Sequence, residues 1–116
     1  MINFRTRLNS RAVFKNQERT LFGLVNKERK SAGLRPLRLN AKLTFIARLK
    51  CQDMINHHYF SHQSPVYGRL GNLLRAAGIR FTLAAENISK GGNARSAFSA
   101  FMQSSGHRNK ILDPRD

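Results

Sequence analysis

Cysteine occurs once in the 116 residues, at Cys51, and tryptophan does not occur. One thiol excludes an intrachain disulfide framework and a zinc site built on cysteines. The helical neighbours of Cys51 are apolar, which predicts a buried, inert thiol. Long apolar runs are missing too, since no stretch approaches the roughly 20 residues of a membrane-spanning helix. Acidic side chains are scarce, six against 21 lysines and arginines, for a net charge of +15. A field that large attracts polyanions and is screened by salt. Nucleic acid, anionic wall polymers and acidic lipid are all compatible with it. The basic residues are spread along the whole chain rather than gathered in one arm. The eight Phe and two Tyr fall mostly on expected core faces, leaving few platforms for base stacking. Both features argue against a nucleic-acid binder.

An apolar content of 41% is enough to build a core, and the length suits one domain. The opening MINFRTRLNSRAVFK is basic but lacks the apolar segment of a secretory signal. Its arginines and its freedom from acids up to Glu18 also fit a transit peptide. Residues 1–15 are expected to form a flexible basic leader, and residues 16–116 the folded domain.

Hydrophobic spacing predicts a first helix from about Asn16 to Ala32, with Leu21, Leu24, Val25 and Glu28 on one stripe. Gly33 and Pro36 should end it. Asn40 should cap a second helix, running to about Asn56, with Leu43, Ile46, Ala47, Cys51, Met54 and Ile55 facing the core. Arg48, Lys50 and Gln52 should then meet solvent. Residues 57–64 read as a loop, residues 69–77 as a short helix stopped by Gly78. Ile79–Ile88 is the one strand candidate, and a single strand cannot satisfy its own ladder. Either its partner lies outside the chain or the segment is not a regular strand. An unpaired edge would invite homo-oligomers. A fourth helix should start at Asn93 and bury Ala97, Phe98, Phe101 and Met102. Ser105-Gly106 should stop it, leaving HRNKILDPRD irregular.

No HExxH, GxSxG, Walker or GxGxxG pattern occurs, so nucleophile-and-base catalysis has no positive signature. The four histidines are His57, His58, His62 and His107. Glu86 is the informative carboxylate, because an acid within Leu83–Ile88 is costly unless it is paired. Two partners fit: a salt bridge to Arg or Lys, or an imidazole whose tautomer it would fix.

Four ordered motifs then carry a resemblance. They are the stretch from LVNKERKSAGLRPL into YFSH at 59–62, AAGI at 76–79, AENI at 85–88 and SSGHRNKIL at 104–112. Together they resemble bacterial domains of the CAP superfamily (cysteine-rich secretory, antigen 5 and pathogenesis-related 1), over about Asn16 to Pro114. The resemblance implies an α+β fold, a CAP-type α-β-α sandwich. It would be mostly helical here, because the C-terminal strands that pair with Ile79–Ile88 are missing. It also implies a cleft lined by His62 and Glu86, with His107 from the SSGHR motif and with Ser61 and Asn87 beside them. Asn87 would brace the backbone, and Tyr59 and Phe60 would pack to fix the loop. His62, Glu86 and His107 could together ligate a divalent metal such as zinc. Animal and plant members add a second Glu, which would fall near Ser104, and a second His beyond Asp116.

The function implied is a secreted or cell-envelope domain, a binding module rather than an enzyme, whose cleft takes an anionic wall polymer, spore-coat component or lipid. The alternatives are a metal-assisted hydrolase or protease and a basic nucleic-acid binder.

Overall fold

The computed structural model of the protein describes residues 16–81, 83–90 and 92–116. The expected leader, residues 1–15, lies outside them. Five helices occur among the described residues. They are α1 (Asn16–Ser31), α2 (Ala41–Asn56), α3 (Leu70–Ala76), α4 (Ala94–Gln103) and α5 (Ser105–Ile111). The chain divides into two compact units. Among the described residues, one is the continuous segment Leu39–Ile88, and the other joins residues 16–38 to Ser89–Asp116.

In the continuous unit, Asn40 caps α2 as expected, its side chain accepting from the Leu43 amide at 3.0 Å. The helix buries Phe45, Ile46 and Leu49 against Leu73 and Leu74 of α3, with Tyr67, Ile79 and Phe81 packed around them. The expected face of α2 is therefore rotated. Leu43, Ala47, Cys51 and Ile55 form an exposed stripe, and the buried face continues into Lys50 and Asp53. Cys51 is exposed, not buried, and Lys50, expected in solvent, is only 5% exposed. The reason is polar chemistry: Lys50 and Asp53 turn inward because the next loop supplies their partners.

Helix α3 ends in a Schellman motif at Gly78 (φ +74°), with the Ile79 amide donating to the Leu74 carbonyl and Gly78 to Arg75. Helix α2 ends in a related way with His58 at φ +53°, a left-handed conformation uncommon outside glycine. Residues 79–88 have no ladder among those described; the single bridge pairs Ser64 with Gly68. The expected strand is thus irregular over its described residues, because no described segment offers it a hydrogen-bonding edge.

In the second unit, α1 packs on α4, and α4 on α5. Asn93 and Ser96 form a capping box at the start of α4, and Gln17 accepts the Ala94 amide at 2.7 Å. Ala94 and Phe101 are buried, and Ala97, Phe98 and Met102 are half-buried, as the apolar spacing predicts. Gly92, at φ +71°, lies so close to Ser96 Oγ that an added Cβ would collide with the capping hydroxyl. Gly92→Ala should therefore lower stability by about 1–2 kcal/mol, measured by urea denaturation, through backbone strain and a displaced cap.

The expected irregular tail is instead helical over Ser105–Ile111. Gly106 falls in the first turn and does not stop the chain, and Ile111 is buried. What anchors this end is Arg29, which is fully buried. Its Nε donates to the Arg35 carbonyl at 2.8 Å, and its Nη1 to the carbonyls of Ile111 and Asp113 at 2.9 and 2.8 Å. The last turn of α1 thus carries one guanidinium that caps the last described helix. Asn26, one turn earlier, exchanges two hydrogen bonds with the backbone of Leu37, at 2.7 and 3.1 Å. The Asn-x-x-Arg spacing in LVNKER is explained: one residue clasps the 32–38 turn and the other joins it to α5. No helix among the described residues is long and apolar enough to cross a membrane.

Candidate functional site

The polar residues of the continuous unit gather where the C-terminal half of α2 meets the 57–69 loop. Asp53 is the hub. Its carboxylate is buried and accepts from Ser64 Oγ at 2.6 Å, from the Tyr59 hydroxyl, and from His57 Nδ1 at 2.9 Å. Ser64 Oγ in turn accepts the amides of Val66 and Tyr67, both at 3.0 Å. Ser64 and Gly68 exchange backbone hydrogen bonds at 2.8 and 2.9 Å, closing the loop around Pro65. Burial by itself would raise the Asp53 pKa, but the bonds from Ser64 and Tyr59 and the nearby His57 outweigh it and hold it below its ordinary 3.8. Burial and the adjoining carboxylate push the Tyr59 phenol up, so it stays protonated and donates.

This scaffold presents His62. Its Nδ1 lies 3.0 Å from Glu86 Oε1. A carboxylate only accepts, so Nδ1 carries the proton and Nε2 is turned away from the pair. The His62 ring is about half exposed and Glu86 mostly covered, at 52% and 18%. Beneath them lies Lys50, whose Nζ donates to the His62 carbonyl at 2.6 Å and stands 3.7 Å from the same Glu86 oxygen. Both partners foreseen for Glu86, a basic side chain and an imidazole, are therefore present at once.

The other residues expected at the cleft are Ser61, Asn87 and His107. Ser61 is exposed and accepts the Gln63 amide at 3.2 Å. Asn87 is half-buried with its Oδ1 turned inward. Tyr59 fixes the loop as expected, but Phe60 is 45% exposed. His107 belongs to the second unit, where its ring lies 5.1 Å from that of Phe101. Among the described residues no group of three or more His, Cys, Asp or Glu side chains is placed to hold a metal ion. Within the His62–Glu86 pair, moreover, the carboxylate is already shared between an ammonium and a ring N–H.

Sequence reasoning missed Asp53 and Lys50. A spacing signal existed: both lie one turn apart on the side of α2 that also carries Ile46 and Leu49. Scarce acids and a lysine on a core face should have marked that side as a polar interior.

A helical domain closed by a clasped Asn-x-x-Arg helix and presenting a His–Glu pair on a pinned loop defines a class. The chain belongs to the CAP family, the cysteine-rich secretory protein family, whose model matches residues 22–115. It is 42% identical over 98 residues to the uncharacterized protein YkwD of Bacillus subtilis strain 168, which covers 84% of this chain and 38% of that protein. It is 31% identical over 97 residues to the uncharacterized membrane protein YlbC of the same strain, covering 83% of this chain and 28% of that protein. Its fold is that of an SCP domain. The crystal structure of an extracellular SCP-domain protein from Bacillus anthracis strain Ames matches with a TM-score of 0.79 at 31% identity. The match covers 83% of this chain and 33% of that one. The chain thus spans well under half the length of the relatives it matches.

Proposed function

We propose that this is an extracellular or envelope-facing binding domain, without a catalytic role of its own, that holds a wall, spore-coat or lipid component through the His62–Glu86 pair. The observation that carries the reading is the fixed imidazole. Glu86 orients Nδ1, and the outward Nε2 is left to meet a ligand. The net charge of +15 supports an anionic partner, because it raises the local concentration of polyanions at low ionic strength. The extracellular SCP-domain neighbour supports the location.

The test is retention on purified peptidoglycan carrying its teichoic acids. Wild-type protein should be held at low salt and released at high salt. His62→Ala and Glu86→Ala should each weaken retention about tenfold at fixed salt, equivalent to about 1.4 kcal/mol. Equal retention of all three proteins would leave only a nonspecific charge effect. Absence of retention at low salt would overturn the reading altogether.

A further inference from the structure

We infer that Lys50 is a positioning residue for the candidate site: its buried ammonium locks Glu86 and the His62 backbone together and so fixes the ring of His62. The inference deepens the binding role proposed above and rests on it for biological meaning, although its own test reads geometry and not ligand.

Lysine is almost never this deeply buried unless its charge is met, and Lys50 is 5% exposed. Its nitrogen has three N–H donors and no acceptor. One is directed at the His62 carbonyl at 2.6 Å. The charge stands 3.7 Å from Glu86 Oε1 and 5.7 Å from the centre of the Tyr59 ring. The same Oε1 receives His62 Nδ1 at 3.0 Å. A closed circuit results: Lys50 to the His62 backbone, His62 ring to Glu86, Glu86 back to Lys50.

The circuit matters because its outer half is weak by itself. A His–Glu contact with the ring half exposed is close to a surface ion pair, which orders two side chains for little net gain. Lys50 changes this from below. It holds the carboxylate by charge in a covered setting, where interactions are less screened. It holds the main chain of His62 by a short, charge-assisted hydrogen bond. Ring and carboxylate are then fixed relative to each other through one buried atom. Asp53, one turn further along α2, pins the other side of the same loop through Tyr59 and Ser64. Two adjacent inward polar residues of one helix thus determine where the histidine is presented.

The experiment reads the His62 ring nitrogens by long-range 1H–15N NMR at about pH 8, above the ordinary histidine range of about 6.5. A histidine side chain free in solution favours the Nε2–H tautomer. The wild-type ring should show Nδ1 protonated and Nε2 bare. Lys50→Met keeps an unbranched apolar stem, one atom shorter, and removes the charge. In it both nitrogens should shift toward the averaged, Nε2–H-rich pattern while the amides of Ile46, Leu49, Leu73 and Leu74 stay in place. A folded Lys50→Met protein with an unchanged His62 pattern overturns the inference.

A reciprocal measurement covers the case in which that variant does not fold. The Lys50 ammonium should give its own slowly exchanging 1H–15N signal in the wild-type protein. Glu86→Gln should shift it and speed its exchange. An ammonium signal unaffected by Glu86→Gln also overturns the inference. Loss of wall retention with an intact NMR signature would instead count against the ligand role alone.

Discussion

Replacing Arg29 with methionine should destabilise the domain by about 3–5 kcal/mol in urea denaturation, the largest single-residue effect expected outside the apolar core. The guanidinium is fully buried and its N–H groups meet the carbonyls of Arg35, Ile111 and Asp113. Methionine fills much of the volume but leaves those three carbonyls without their donor, and a buried polar group left unsatisfied costs about 1–3 kcal/mol. Arg29→Lys separates charge from geometry. An ammonium keeps the charge but lacks the planar fork whose Nε and Nη1 reach three carbonyls at once. It should recover less than half of the loss. If Arg29→Met unfolds at the wild-type urea midpoint, the buried fork contributes nothing and the account of the LVNKER motif is wrong. The loss should also be local in character, with hydrogen exchange rising first in α5 and the 32–38 turn.

Asp53→Ala should be the second most damaging polar substitution, at about 2–4 kcal/mol, since hydrogen bonds to a charged group are each worth about 1.5–3 kcal/mol. Two hydroxyls, those of Tyr59 and Ser64, would lose a buried acceptor. Amide exchange at Ser64 and Gly68, which close the loop on each other, should accelerate well beyond that of α3. The pH dependence has a definite sign. The folded pKa of Asp53 lies below its ordinary 3.8, so the folded protein holds the carboxylate ionised more readily than the unfolded chain does. Its contribution is complete above the unfolded value and disappears as pH falls through the lowered folded value. Asp53→Asn should therefore flatten the acid limb of the stability curve below about pH 4. A wild-type slope retained in Asp53→Asn would assign that limb to other carboxylates. One candidate is Asp113, which is held at about 2 by side-chain and backbone bonds from Arg115.

The readable parts of the sequence were those with local physical signatures. Asn40 and Asn93 announced two helix starts, because a short polar side chain before an apolar period satisfies open amides. Gly33 and Gly78 announced two ends, because a left-handed residue closes the last turn. YFSH and AENI gave the His62–Glu86 pair through resemblance, and the geometry joins the two residues. What was not legible came from contacts distant in sequence. Nothing local distinguishes Arg29 from the neighbouring Lys27 and Lys30; its partners lie 82 and 84 residues away. Lys50 was assigned by polarity to the outside of α2 and Asp53 was given no role, which rotated the whole helix face. Ser105-Gly106 lay close to a real end, since α4 stops at Gln103, but a second helix begins there and buries Ile111 where an irregular tail was expected.

The division of the chain has a consequence for how the molecule is made. Among the described residues Leu39–Ile88 is one uninterrupted segment, so its core can close as soon as residue 88 is synthesised. The other unit cannot, because α1 is made before that segment and two of the carbonyls that receive Arg29, those of Ile111 and Asp113, are made after it. At roughly 5–20 residues per second, the 75 residues from 38 to 113 take roughly 4–15 s to translate. For that interval the nascent α1 carries an arginine with no interior to enter and an apolar stripe with no helix to cover it. The same guanidinium that anchors α5 therefore makes α1 dependent on residues translated after the whole of the other unit, and that helix is where chaperones and proteases should find the growing chain.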